Sequence, residues 1–394
     1  MRRRNSNLVA IACGGTGGHL FPGVAVGHEL VRKGCEVTLL VSPKEVDQQA
    51  VKYVVGMDVE TLPAVALQDR KYWRFAAGFG KALAASLKLL RQKRPGAVLA
   101  MGGFTSAPPV VAGRILGAKT FLHESNAIPG RANRFLAPIV SRAFVGFSEA
   151  GNQLKTRRIT VTGTPVREQF QSVITETCRR VMGLQPDRPT LLIMGGSQGA
   201  RGVNELAMSA LPALREQRSD LQFLWLAGNQ DVARVREFCR AGGHPVVVRK
   251  FLPEMELAYG AATVAVARSG ASTLSELAAM RVPSILIPLP GSADNHQHHN
   301  ALNFEQTGAA RLLKQGTATP EKFGDWVDGL IADEAARAAM QVALEQWHHR
   351  DAAAVIASNI LQELGHSNAS DNSNRSGDND NLEPMQAALR LAVQ

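Results

Sequence analysis

The residues with the most to offer chemically lie between Val264 and Ala301. An apolar, β-branched run (Val264, Val266) breaks at Arg268-Ser269-Gly270, a helix-like segment follows from Thr273 to Met280, and a second apolar run from Ser284 to Leu289 ends in a polar loop. Strand, glycine turn, helix, strand and loop make half of a wound βαβ unit, and both loops belong on the sheet edge where such folds bind ligands. The first loop offers the N–H groups of a helix N-terminus to an anion, and Glu276 adds a carboxylate. The second offers Asp294, Gln297 and Asn300 at three-residue spacing, one face of a helix if a helix starts there. Phosphate donors, an acceptor for a diol and a cluster of amides together point to a nucleotide-sugar site.

Two more glycine turns follow apolar runs: Gly14-Gly15-Thr16-Gly17-Gly18 after Leu8–Cys13, and Gly195-Gly196-Ser197-Gln198-Gly199-Ala200 after Thr190–Met194. The first fails as a dinucleotide fingerprint. Leu20 stands where the third glycine is needed, and Val41-Ser42-Pro43 offers no acid to a ribose at the end of the next strand. No P-loop is present. His19 then has two readings, a neutral general base kept so by a helix N-terminus, or a side chain that caps or packs against the loop. Gly196 and Ser197 either hold a diphosphate through N–H and hydroxyl or only make a tight turn. Thr273-Leu274-Ser275-Glu276 is also a capping box, so Glu276 is a ribose ligand or a cap. His296, His298 and His299 lack a spacing that aims three ligands at one point, so no metal and no cofactor are expected.

The elements that must position these groups alternate. Strands are expected at Leu8–Cys13, Glu36–Val41, Ala97–Met101 and Lys119–Leu122, the last leading into His123-Glu124-Ser125-Asn126. Helices are expected from His19 to Lys33 and from Ala76 to Gln92. The pattern resumes with strand Thr190–Met194 and a helix from Val203 to Leu214, and it is helical from Ala335 to Leu364. Alternation predicts parallel, wound sheets. The likeness of the two glycine turns predicts two similar α/β domains joined near Gly163–Val173. From Gly365 to Glu383 the Asn, Ser, Asp and Gly run has almost nothing to bury and is expected to be disordered.

A chain of 394 residues is too long for one core. Hydrophobic residues at 45% and charged residues at 20% fit a globular protein. The net charge of +10 favours a phosphorylated substrate or an anionic membrane surface. No RNA-binding module with interleaved aromatics is evident and aromatics are only 5%, so nucleic acid falls behind the other two. The four cysteines are scattered, as reduced thiols are. No apolar run is long enough to span a bilayer. Between Leu67 and Arg94, Tyr72, Trp73, Phe75 and Phe79 sit among Arg70, Lys71, Arg74 and Lys81. That pattern suits insertion at an anionic membrane surface, or else a helix packing its apolar face inward.

Taken together, GGTGGHLFPGVAVGHEL, MGGFTSAPPVVAG, HESNAIPGRANR, GTPVR, GGSQGARGVNE, RSGASTLSELAA and the Asp294-x-x-Gln297-x-x-Asn300-Ala301 pattern resemble the MurG family, in order from Leu8 to Leu364. These are the peptidoglycan N-acetylglucosaminyl transferases that make lipid II from lipid I. The resemblance implies α/β architecture of the GT-B kind, two Rossmann-like domains facing across a cleft. Residues 1–164 would form the acceptor- and membrane-facing domain and 165–364 the UDP-GlcNAc domain, its last helix free to pack back on the first, with a tail at 365–394. It implies UDP-GlcNAc and lipid I as substrates and a peripheral place on the cytoplasmic face of the bacterial inner membrane. Glu276 would hold the ribose. Ser197 and the turn from Gly270 through Ala271, Ser272 and Thr273 into Leu274 and Ser275 would hold the diphosphate. Gln297 and Asn300 would hold the sugar, and Leu252 would lie by the uracil. Thr16, Gly17, Gly18, Asn126 and Arg167 would close the site, with the acceptor pyrophosphate near the glycine loops. The reaction would be an inverting attack by the acceptor C4 hydroxyl, with His19 as first choice of base and Glu124 as second. Alternatives on the same architecture are a diacylglycerol glycosyltransferase or a UDP-GlcNAc 2-epimerase. From another class comes a peripheral membrane scaffold with a dead donor site, and the broken fingerprint argues against an NAD-binding oxidoreductase.

Overall fold

The computed structural model describes residues 5–15, 17–44, 47–48, 51, 54–63, 72–171, 173–195 and 199–365. Its strands fall into two parallel sheets. The first holds β1 (Asn5–Ala12), β2 (Glu36–Val41), β3 (Asp58–Thr61), β4 (Pro95–Ala100), β5 (Lys119–Glu124), β6 (Arg142–Val145) and β7 (Ile159–Val161), in the order 3-2-1-4-5-6-7. The second holds β8 (Thr190–Met194), β9 (Gln222–Leu226), β10 (Val246–Arg249), β11 (Val264–Ala267), β12 (Ser284–Leu286) and β13 (Arg311–Leu312), in the order 10-9-8-11-12-13. Each sheet begins in its middle, winds to one edge and crosses back to the other. A crevice therefore opens beyond the strand ends between β1 and β4, and again between β8 and β11. The central strands are buried along their whole length, as β4 and β8 show, because helices cover both faces. This is the doubly wound, two-domain α/β architecture that the alternation of elements predicts.

Element ends differ from expectation in physically simple ways. The first helix begins at Gly17, and the helix expected from Ala76 runs Tyr72–Lys93. The long helical pattern after Ala335 is two helices, Glu334–Glu345 and Ala352–Glu363, with a turn between them. In the Tyr72–Lys93 helix, Phe79, Leu83 and Leu87 pack against the first domain's core and Phe75 stands edge-on to Phe104 at 5.5 Å. Packing inward is what these two phenylalanines do. Arg70 and Lys71, and the tail from 366 to 394, lie outside the described residues.

The chain crosses between the sheets twice, and the crossings touch. Gly163, on the first, has φ +72°, and a Cβ there would come within 2.3 Å of the His349 ring on the second. Beside them the buried His123 ring pairs with the Gly163 carbonyl at 3.0 Å. The turn before the second crossing stacks Trp347 on Phe304, ring centroids 4.6 Å apart, with Phe147 of the first domain 5.3 Å from the same indole. The helix Ala352–Glu363 then returns to the first sheet and buries Ile356, Ala357 and Ile360 among Val9, Ile11, Leu30 and Phe144. Gly163→Ala should thus lower stability by at least about 1–2 kcal/mol for the left-handed backbone alone. The thermal midpoint should fall by several degrees in a calorimetric scan, and an unchanged midpoint would show that the crossings are not tightly packed.

Candidate active site at the domain seam

Both crevices open on one seam. The helix Gly17–Arg32 follows β1 and the helix Ala271–Ala279 follows β11, and their first turns meet where Ser272 Oγ donates to the Gly18 carbonyl at 2.8 Å. Neither helix has an acidic residue in its first turn. Two positive dipole ends thus converge on one place.

The turn before the first helix is built tightly. A Cβ on Gly14 would lie 2.4 Å from the Ser42 nitrogen, so only glycine fits beside the end of β2. Thr105 Oγ1 donates to the Gly14 carbonyl and Lys44 Nζ to the Gly15 carbonyl. The Gly15 N–H donates to Asp47 Oδ2 at 2.6 Å, and the same oxygen accepts from Ser42 Oγ at 2.5 Å. Asp47 is fully buried. Within the helix's first turn, His19 lies against Gly102 and Gly103, where a Cβ would stand 2.8 and 3.4 Å from its ring. Both glycines have positive φ, +116° and +74°. Burial lowers the His19 pKa to about 4; Asp47 opposes the shift, while His296 and Lys44 reinforce it. The imidazole is neutral at pH 7, as a base must be.

Glu124, at the end of β5, is buried and fully engaged. Its Oε1 accepts from Asn126 N and Nδ2, and its Oε2 accepts from Gly130 N at 2.9 Å and Asn133 Nδ2 at 2.8 Å. Four donors make it the organiser of the 124–133 loop.

On the second domain, Glu276 accepts a hydrogen bond from the buried Tyr259 hydroxyl at 2.9 Å. The helix begins at Ala271 with Gly270 as its N-cap, so Thr273 is already inside it and the capping box does not form. Burial raises the Glu276 pKa to about 7, against the pull of Arg167 and the Tyr259 hydroxyl. Arg167 comes from the first crossing. Its guanidinium lies over Phe21 of the first domain at 4.6 Å and over Phe170 at 5.0 Å, and both terminal nitrogens reach the Pro253 carbonyl. Leu252 precedes that proline, half-buried against the second core. Ala271 and Leu274 are buried, Thr273 is half-exposed, and Ser275 Oγ bonds back to the Ala271 carbonyl. Thr16 and Ser197 lie outside the described residues, and of Gly17 only its place at the helix start is described.

The amide loop departs most from expectation. A helix does start there, at His296, so Gln297 and Asn300 share it, but Asp294 precedes it in a left-handed turn with φ 49°. Asp294 reaches across the seam to Arg134 and Arg131. Asn300 is fully buried: its Oδ1 accepts from Ala127 N at 2.9 Å, and its Nδ2 donates to Asn126 Oδ1 at 3.0 Å and the Ser269 carbonyl at 3.2 Å. Gln297 Oε1 accepts from Leu289 N. His296 pairs with the Ala293 carbonyl, and among the described residues no three His, Cys, Asp or Glu side chains converge on a metal position.

The structure therefore brings His19, Gly18, Asn126, Arg167, Ser272, Glu276, Gln297 and Asn300 to one seam. Sequence reasoning missed Tyr259, Asp47 and the Arg131–Arg134 pair. Asp47 had a legible signal, an acid just beyond β2, but it lies past the Val41-Ser42-Pro43 stretch where a ribose ligand was sought. Tyr259 had none, because it lies seventeen positions from its partner, on a separate helix with a strand between the two.

Comparison with known proteins places this geometry. Residues 9–145 match the glycosyltransferase family 28 N-terminal domain and residues 190–356 its C-terminal domain. The UDP-N-acetylglucosamine--N-acetylmuramyl-(pentapeptide) pyrophosphoryl-undecaprenol N-acetylglucosamine transferase of Sorangium cellulosum is 36% identical over 364 residues, covering 90% of this chain and 88% of that one. The enzyme of the same name from Syntrophus aciditrophicus is 34% identical, covering 84% and 93%. The crystal structure of Acinetobacter baumannii MurG is 25% identical with a TM-score of 0.68, covering 90% of this chain and 99% of that one. A UDP-N-acetylglucosamine 2-epimerase superposes as well, TM-score 0.69 over 95% and 100%, but at 13% identity it shares the fold alone.

Asn300→Ala would strip partners from Ala127 N, Asn126 Oδ1 and the Ser269 carbonyl. Each polar group left buried and unpaired costs about 1–3 kcal/mol. The urea midpoint should drop and the radius of gyration in solution scattering should grow. Unchanged values for both would show that Asn300 does not clamp the domains.

Proposed function

The chain belongs to the MurG family of glycosyltransferase family 28, and we propose from its geometry how it performs that family's reaction. N-acetylglucosamine passes from UDP-GlcNAc to the C4 hydroxyl of MurNAc in lipid I, giving lipid II for peptidoglycan. The observation that carries the mechanism is the meeting of two helix N-termini beside a neutral histidine.

The acceptor hydroxyl attacks the anomeric carbon in line with the departing diphosphate, so the configuration inverts. His19 takes the hydroxyl proton as the new bond forms. The N–H groups at Gly270–Thr273, with Ser197, stabilise the charge that grows on UDP. Glu276 accepts from the ribose hydroxyls, Leu252 lies by the uracil, and Arg167, stacked on Phe21, closes the site from the crossing. Gln297 and Asn300 hold the sugar, and Asn300 exchanges its seam partners to do so. Glu124 is assigned to shaping the acceptor loop, because taking a proton would break bonds that hold the loop together.

Residues 1–164 would bind the acceptor. The helix Tyr72–Lys93 leaves Lys81, Lys88 and Arg91 exposed, and the neighbouring helices expose Ile115 at 62% and Phe135 at 60%. A basic face with apolar tips supports peripheral contact with an anionic membrane. Among the described residues no helix is long and apolar enough to cross a membrane. The epimerase reading has the fold in its favour, but the one-third identity over most of the chain lies with the transferases.

Labelled GlcNAc should pass from UDP-GlcNAc to a soluble lipid I analogue with chelator present, and His19→Ala should lose about 10²–10⁴-fold in kcat. No transfer despite measurable donor binding would overturn the reading. Donor binding should also follow Glu276. Its folded pKa stands near 7, above the ordinary carboxylate value of 4.5, so the folded protein holds this proton more tightly than the unfolded chain does. The diol needs the carboxylate, so affinity levels off about a unit above pH 7, is halved near pH 7 and approaches a tenfold fall per unit well below it. Calorimetric titration of UDP-GlcNAc between pH 5.5 and 8.5 (about one and a half units either side) checks this. Glu276→Gln should bind weakly at every pH, and a flat native profile would remove the ribose role.

A further inference from the structure

We propose that Asp47 is a positioning residue for the transfer, its buried carboxylate fixing the glycine turn that carries His19 and steadying the imidazolium that forms there. The proposal rests on His19 being the base. As the acceptor O4 bonds to the anomeric carbon, the bond from that carbon to the diphosphate oxygen breaks and UDP leaves with the electron pair. The hydroxyl proton moves to the His19 ring, which becomes a cation in a place that burial makes hostile to one.

Three features single out Asp47. It holds the turn itself: Oδ2 accepts from Gly15 N at 2.6 Å, Ser42 Oγ at 2.5 Å and Ser42 N at 3.3 Å, so the chain four residues before His19 is pinned to the end of β2. It is more charge than that task requires. A neutral amide oxygen could accept the same bonds, whereas a fully buried carboxylate is costly, and its Oδ1 has no hydrogen-bond partner among the described residues. Finally, its field falls on the right group. Of the charged and titratable neighbours acting on His19, Lys44 and His296 oppose the proton and Asp47 favours it, while His123 behind them is itself discouraged from protonating by His19. An acid beyond the second strand of a Rossmann-type sheet would ordinarily face outward to a ribose. Here it turns inward and occupies the Gly15 N–H of the turn.

The test uses the full-length protein with Asp47→Asn and Asp47→Glu. The His19 imidazole is followed by NMR pH titration with labelled histidine, assigned by its loss in His19→Gln. Alongside it are measured kcat, KM for the soluble acceptor analogue and calorimetric affinity for UDP-GlcNAc. In Asp47→Asn the His19 titration should move to lower pH, kcat should fall about 10–100-fold, less than the roughly 10²–10⁴-fold of removing a general base itself, and donor affinity should hold. The acid limb of the kcat/KM profile should shift in the same direction as the titration. Asp47→Glu, which keeps the charge, should recover much of kcat, and this distinguishes the field from mere turn geometry if Asp47→Asn folds poorly. A His19 titration in Asp47→Asn identical to wild type would overturn the proposal, as would equal losses of donor affinity and kcat in both variants. Normal turnover in His19→Gln would fault the base assignment on that variant alone, since the titration of His19 in Asp47→Asn needs no turnover to be read.

Discussion

Two helices point their N-termini at each other across one seam, and most of what surrounds them follows from that. Each end carries roughly half a positive charge, so the two repel unless something anionic lies by each. The Ser272–Gly18 bond holds them together regardless. On the first domain the anion is internal: Asp47 accepts from Gly15 N inside the turn. On the second, the carboxylate at hand is Glu276, a full turn into the helix, facing Tyr259 and with a pKa near 7. The asymmetry supports giving the donor diphosphate to the second sheet. It also gives a physical reason why two sheets of the same strand order need not both hold a nucleotide.

The seam is wired as well as charged. From the Ser269 carbonyl the path runs through Asn300 to Asn126, from Asn126 to Glu124, and from Glu124 to Gly130 and Asn133. Every link is buried or half-buried, where a missing partner is expensive. On the proposed assignment, a sugar that takes the Asn300 amide must replace hydrogen bonds, not simply add them, so entry of the donor would be coupled to the posture of the 124–133 loop. Asp294 reinforces the coupling from the rim through Arg131 and Arg134, in an exposed position where an ion pair contributes less.

What the sequence revealed and what it hid divide along contact distance. Glycine turns after apolar runs, the alternation of strands and helices, and the place of His19, Glu276 and Asn300 are local patterns, and all of them could be read. Roles set by partners far along the chain could not. Asn300 was legible as an amide in a loop, but its bonds to residues 126 and 127 bridge more than 170 positions. The Thr273–Glu276 spacing fits a cap perfectly well in isolation. It fails because Gly270 starts the helix early, and because Tyr259 supplies the carboxylate with a better donor. The Phe147–Phe304–Trp347 stack has no sequence signature at all, being three aromatics from three separate elements.

With His19 as the proposed base, a pKa near 4 needs an account of how the ring removes a proton from a sugar hydroxyl. The low value reflects burial that Asp47 offsets only in part, and a donor would bring a further anion. On the proposed assignment the diphosphate would lie at the helix ends near His19, and a nearby anion raises a histidine's pKa just as burial lowers it. Arrival of UDP-GlcNAc would therefore add to the field of Asp47 and raise the proton affinity of the ring. The hydroxyl becomes acidic only as its oxygen bonds to the anomeric carbon, and that happens while negative charge is growing on the departing phosphate. Base strength and proton acidity thus rise together along one coordinate. On this assignment a weak ground-state base would be an advantage: a neutral imidazole is ready at pH 7, and it would become a stronger acceptor once the donor is in place.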